Sequence, residues 1–208
     1  MKKKTIILPS SYLPSINYFY LILKYENILI ESHDFYIKQS LRNHAIILGP
    51  NGDQKITVPI QRKSKSKTVF KNMKISNNLW KKKHIQSIKT AYGNSPFFIH
   101  YFDELFEIIN HEYYKLFDLN KSLLTYFLKE LNIKKKIIYT NKFIGDYGDG
   151  YLDYRDKKLK SVIFQSIYYQ QTFLHKNNNL EKYSIIDLLF NIGNESKNTI
   201  ISVLKKNK

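Results

Sequence analysis

No cysteine occurs among the 208 residues. Disulfides, zinc–thiolate sites and thiol nucleophiles are therefore excluded. Long apolar runs are missing too, since no window reaches the roughly 18 unbroken apolar residues of a membrane-spanning helix. The basic start Met1-Lys2-Lys3-Lys4 imitates a leader, but Thr5 to Leu8 is too short an apolar segment, and Pro9, Ser10 and Ser11 interrupt it. Tyr12 to Ile30 is broken by Pro14, Asn17, Lys24, Glu26 and Asn27. These absences predict a soluble, cytoplasmic chain without a transmembrane segment.

Arginine is scarce as well. Lys and Arg total 34 against 17 Asp and Glu, a formal net charge of +17, yet the only arginines are Arg42, Arg62 and Arg155. Base readout and bidentate phosphate contacts favour arginine over lysine. Lysine, isoleucine, asparagine, tyrosine and phenylalanine are abundant together, which is what A+T-rich codons produce. A nucleic-acid partner is possible on charge, but genome composition accounts for the same lysines.

With 43% hydrophobic residues the chain can bury a core without staples. No repeat or long linker divides it, so residues 1–208 are expected to form one domain. Lys3 to Leu8 reads as a short buried strand, Pro14 to Tyr25 as a helix, and Ile28 to Ile30 as a second strand. Asn51-Gly52 between two β-rich runs, Ala45–Leu48 and Lys55–Ile60, signals a hairpin. Thr68 to Ile75 is assigned as a further strand. Trp80, His84, Ile88 and Tyr92 recur every four residues on a helix that stops at Gly93. Helices follow from Ser95-Pro96 to Ile108 and from Asp118 to Leu131, then a strand at Ile137–Thr140. Ser184-Ile185-Ile186-Asp187 starts a helix in capping-box fashion, and a last helix runs through Leu204. The expected class is α+β, an N-terminal β-rich region with a hairpin followed by a mainly helical C-terminal half.

Three constellations could carry chemistry. Lys38, Gln39, Arg42 and Asn43, with Tyr36 and His44, concentrate cations and amides between two strands. Such a set suits an anionic ligand, or it is a polar connection satisfying its own backbone. His84, in line with Trp80 and Tyr92, is either a general acid–base at a pocket wall or a core-edge histidine. Asp153 and Arg155 follow the loop Gly145–Gly150 and either organise a polar site or form a structural ion pair. Tyr169, Gln171 and Phe173 alternate like a strand, and a buried Gln171 amide would demand partners. Asp187 reads as a helix cap. The aspartates 146, 149, 153 and 156 do not match a calcium loop. There is no Gly-x-Ser-x-Gly, no His-Glu-x-x-His, no dinucleotide fingerprint and no Cys/His metal spacing, so no metal ligands are assigned.

Taken in order, the motifs resemble the WbqC-like family. Tyr12-Leu13-Pro14-Ser15-Ile16-Asn17-Tyr18-Phe19 is similar to its proline–aromatic opening. Lys38-Gln39-Ser40-Leu41-Arg42-Asn43, Asn51-Gly52, Thr57-Val58-Pro59-Ile60, Trp80 with His84, and Ala91 through Phe98 follow. The series continues through Leu116-Phe117-Asp118-Leu119-Asn120, Asp153-Tyr154-Arg155, Tyr169-x-Gln171-x-Phe173 and Ser184 to Gly193. Departures are His44 where the family tends to have arginine, Leu159-Lys160 where Pro-Lys is usual, and Leu8 without the usual glutamine.

The resemblance implies a transferase in surface-polysaccharide (O-antigen-type) or sugar modification. Joined to the residue reading, it predicts that Lys38, Gln39, Arg42 and Asn43 bind an anionic donor or nucleotide-sugar, with Tyr92 and Gln171 beside the substrate. His84 would move the proton, and Asp153 and Arg155 would organise the site. The partner class is a small-molecule or sugar-linked substrate. A basic nucleic-acid-binding or non-catalytic accessory module is the alternative. No cofactor follows from the motifs.

Overall fold

The computed structural model describes residues 4–35, 37, 40–61, 68–155, 167–173 and 180–206. The apolar stretch after Lys4 forms β1 (Thr5–Pro9), and β2 (Asn27–Glu31) lies parallel beside it. Parallel neighbours need a crossover, which α1 (Ile16–Lys24) supplies. Ser15 caps that helix by accepting from the Tyr18 N–H, while Lys135 donates its ammonium to the carbonyls of Ile22, Leu23 and Tyr25 at the other end. The α1 termini are thereby satisfied at both ends.

The hairpin forms at the expected place. Strand β3 (His44–Gly49) pairs antiparallel with β4 (Gly52–Thr57), and the ladder closes at Gly49 opposite Gly52. Gly52 takes φ +100°, which an L side chain rarely adopts. Thr68 to Ile75 is not a strand. It is a 3₁₀ turn at Phe70–Asn72 flanked by single bridges, because the Phe70 and Lys71 N–H groups donate to the carbonyls of Asp34 and Ser32 instead of a ladder. Tyr169 to Phe173 also lacks strand pairing.

The helices are α2 (Leu79–Tyr92), α3 (Phe98–Asn110), α4 (Leu116–Glu130), α5 (Ile185–Ile192) and α6 (Ser196–Lys206). Every residue of α5 from Ile185 to Asn191 is buried, so it is the innermost helix. It packs against α1, α2, α3 and α6. Two short strands, β5 (Ile137–Tyr139) and β6 (Tyr151–Asp153), complete the sheet in the order β5-β2-β1-β6, all parallel. The class is α+β as expected, with the refinement that the second half contributes both outer strands of the main sheet. No described helix is long and apolar enough to cross a membrane.

Register decides what each sheet face carries. Ile6 pairs with Ile28 and Leu8 with Ile30, and all four join the hydrophobic core. Ile7 pairs with Leu29 and with Asp153, and Pro9 with Glu31. Side chains alternate along a strand, so Glu31 and Asp153 project together from the opposite face, at the carboxyl ends of β2 and β6.

Gly193 ends α5 at φ +54°, and a Cβ there would lie 2.6 Å from the Phe97 ring. Gly193→Ala is expected to lower stability by about 2–4 kcal/mol through combined backbone strain and overpacking, read as a fall in the urea unfolding midpoint.

Candidate functional site

In open parallel sheets ligands bind beyond the carboxyl ends of the strands, where the strand order reverses direction. Here the chain steps outward from β1 to β2 to β5, then returns to place β6 on the far side of β1. The reversal falls between β1 and β6. A polar network spans that edge.

Glu31, the last residue of β2, is fully buried. Its Oε2 accepts from Arg155 Nη1 at 3.0 Å, a bond that crosses β1. Its Oε1 accepts from the His33 N–H at 2.8 Å and from Thr140 Oγ1 at 2.7 Å. Arg155 has no spare donor. Nε and Nη2 grip the Asp153 carboxylate, Nη1 also reaches the Ile144 carbonyl, and Nη2 the Gly145 carbonyl. Burial opposes the guanidinium charge, but Asp153 and Glu31 outweigh it and raise its pKa. The rings of Phe143 and Tyr147 lie 5.2 and 5.5 Å from the guanidinium.

Hydrogen-bond accounting fixes the state of His33. Thr140 Oγ1 spends its proton on Glu31 and accepts from the Ser32 N–H. Ser32 Oγ donates to the Thr140 carbonyl at 3.0 Å, leaving its lone pair for His33 Nδ1 at 3.1 Å. Nδ1 therefore carries the proton in the neutral ring, and Nε2 presents a lone pair from a half-buried imidazole. A ring held through Nδ1 by a hydroxyl, with Nε2 left to accept, has the geometry of a general base.

The expected site residues are distributed over this network and three other polar clusters. Asp153 and Arg155 belong to the network itself. Arg42 is 1% exposed and donates from Nη2 to one carboxylate oxygen of buried Asp34, while its carbonyl accepts from Asn120 Nδ2 at 2.9 Å. Asn43 clamps the exit of the hairpin, donating from Nδ2 to the Val58 carbonyl and accepting the Val58 N–H. Around them Asp34 Oδ1, Asn120 Oδ1 and Ser40 Oγ are buried with no hydrogen-bond partner among the described residues. Lys38 and Gln39 lie outside the described residues.

His84 sits on α2 with Trp80, its Nδ1 2.8 Å from the Tyr12 hydroxyl. Burial pushes the imidazole down to about 4, partly countered by a hydrogen bond to the Thr57 backbone. The chain reaches Tyr12 just before a bend at Leu13, φ +40°, that non-glycine residues seldom adopt.

Tyr92 and Gln171 do meet, at Asp187. That fully buried carboxylate accepts from Tyr92 at 2.9 Å, from Tyr169 at 2.5 Å and from Gln171 Nε2 at 2.7 Å. Burial raises its pKa against the pull of those three donors. Asp187 is thus not the helix cap; Ser184 is, accepting from the Ile186 N–H. The Gln171 amide finds the partners its burial demands.

Glu31, Ser32, His33 and Thr140 escaped the sequence reading. The signal was the run Glu31-Ser32-His33-Asp34, chemistry-bearing side chains packed together where a short apolar strand ends. Among the described residues no three His, Asp or Glu side chains gather closely enough to hold a metal ion.

His84 generates a pH prediction. Its folded pKa is about 4 against an ordinary 6.5, so between those values the unfolded chain binds a proton that the folded chain refuses. Stability then falls as pH drops through that window, by up to about 3 kcal/mol. His84→Gln is expected to lack this component in urea unfolding measured between about pH 4 and 7.5. Identical pH dependence in the two proteins would contradict the assignment.

The uncharacterized protein Rv1507c of Mycobacterium tuberculosis is 29% identical over 149 residues, covering 71% of this chain. The match spans 64% of that relative's own length, less than two thirds of it. No solved structure matches the chain. The model of the WbqC-like protein family matches residues 10–150. That stretch takes in Glu31, His33, Arg42, Asn43, His84, Tyr92 and Thr140. The chain belongs to the WbqC-like protein family.

Proposed function

We propose that the protein is a transferase that modifies a sugar or sugar-linked substrate beyond the carboxyl ends of β1, β2, β5 and β6. The observation carrying this reading is the Ser32 hydroxyl, which donates to the Thr140 carbonyl and lies 3.1 Å from His33 Nδ1, leaving Nε2 as the acceptor beyond the end of β2. In a transfer to a hydroxyl, Nε2 takes the proton as the hydroxyl oxygen bonds to the transferred group. The bond from that group to the donor breaks, the electron pair departing with the donor's leaving group. Ser32 Oγ then holds Nδ1–H.

His33 suits this role better than His84, whose Nδ1 is engaged by Tyr12 and whose low pKa makes it a poor base near neutrality. Asp153 and Arg155 act as positioning residues. With every guanidinium donor committed, Arg155 fixes Glu31 and the 144–145 backbone and does not grip a ligand. The saccharide setting rests on the family likeness.

The test is turnover of nucleotide-sugar and acyl donors by the full chain, with products read by mass spectrometry after a thermal-shift screen for donors. His33→Gln is expected to reduce turnover by about 100-fold or more with an unchanged unfolding midpoint. Arg155→Lys, by contrast, should lower both. Full activity in His33→Gln would refute the assignment of the base.

A further inference from the structure

A second concavity lies away from the hydroxyl-rich edge, between α4, the 131–136 segment and β5. It is an open groove of about 590 Å³, within the 300–1,000 Å³ typical of small-molecule sites. Five lysines line it: 121, 129, 134, 135 and 136. Two of them are committed elsewhere. Lys129 is paired with Glu104 and Glu130 at 2.7 and 3.3 Å. Lys135 is spent on the α1 carbonyls, and burial lowers its pKa.

Lys121, Lys134 and Lys136 are different. All three are exposed and have no acidic partner among the described residues. Helix α4 and the 131–136 segment hold these like charges around one concave surface, where each raises the potential felt by the others. Tyr139 forms part of the wall, and Lys121 Nζ lies 5.7 Å from its ring centroid. Burial pushes the Tyr139 phenol up to about 12, so it remains an O–H donor near neutrality. Leu124 and Leu128 supply apolar surface beside the cations.

We propose that this groove binds a compact phosphate anion of the nucleoside-diphosphate kind. Confinement of the charge argues for a compact ligand over a polymer. The adjoining concavity shares Lys121 and Lys129 but adds Glu104 and Asp118, so a long polyanion continuing that way would meet carboxylates. Along the chain, Tyr139, which lines the groove, is followed by Thr140, which hydrogen-bonds Glu31. That the anion belongs to the group donor rests on the transferase reading; binding itself does not.

Calorimetric titration of the full chain with inorganic pyrophosphate and with uridine diphosphate tests the site. Lys121→Gln, Lys134→Gln and Lys136→Gln are combined in one variant. Lys55→Gln, Lys82→Gln and Lys83→Gln form a control with the same net charge, at exposed positions outside the groove. The groove variant is expected to bind about tenfold or more weakly, and the control within about twofold of the unsubstituted chain. Circular dichroism and the unfolding midpoint confirm that both variants fold.

Three results overturn the proposal: no binding of either probe to the unsubstituted chain, equal weakening in both variants, or binding of a single-stranded oligonucleotide of about 20 residues without binding of pyrophosphate. Equal weakening would assign the attraction to net charge alone. Retained turnover in His33→Gln would refute the base while leaving the pyrophosphate titration intact, so the two readings fail separately.

Discussion

Taking a carboxylate and a guanidinium out of water costs several kcal/mol per ion unless each is fully met by partners. Glu31 is wholly buried and Arg155 nearly so, and they meet across the end of β1. The cost explains the density of the surroundings. Thr140 and the His33 amide fill the second Glu31 oxygen, while Asp153 and two carbonyls fill the rest of the Arg155 fork. One ion pair therefore ties together β2, β6, the residue after β5 and the 144–145 backbone. Removing Arg155 would leave the buried Glu31 charge without its cation, a loss of about 3–5 kcal/mol. The orientation of His33 follows from the same requirement, since its amide satisfies the carboxylate that its ring approaches through Ser32 and Thr140.

Asp187 imposes a parallel constraint on the other side of the molecule. It sits near the start of α5, where the helix dipole favours a negative charge. Tyr92 from α2 and Tyr169 with Gln171 from the segment before α5 converge on it. Tyr92 also accepts the Leu48 N–H, so the hairpin is tied to the innermost helix through one phenol. The Ser184 and Ile185 amides extend that anchorage to the carbonyls of Ile46 and Pro14.

Local signals were legible in the sequence, and non-local ones were not. Asn51-Gly52 marks the hairpin because a tight turn needs what glycine permits. The four-residue spacing from Trp80 to Tyr92 and the Ser184 cap mark helices because a single turn of backbone decides them. Strand β6 carries no such mark. Three residues hold too little periodicity, and their strand character comes from pairing with Thr5 to Ile7, far away in sequence. Phe70–Asn72 follows the same logic in reverse, since the chain turns after the β-prone run Thr68-Val69-Phe70 because distant carbonyls claim the Phe70 and Lys71 amides. At the candidate site, the sequence named Asp153 and Arg155 but not Glu31. A lone glutamate after apolar residues gives no hint of burial until its partner is known.

The parallel order β5-β2-β1-β6 also shapes how the chain can reach its native state. The strands synthesised first, β1 and β2, end up in the centre of the sheet, and both outer strands come from residues 137–153. Until the ribosome has released that stretch, the β1–β2 pair has two open edges, each a template for another chain. Such non-local pairing is slow to form because loop closure precedes its reward. The nascent protein thus passes through an interval in which the edges of β1 and β2 are unpaired, the kind of partly folded state from which aggregation starts.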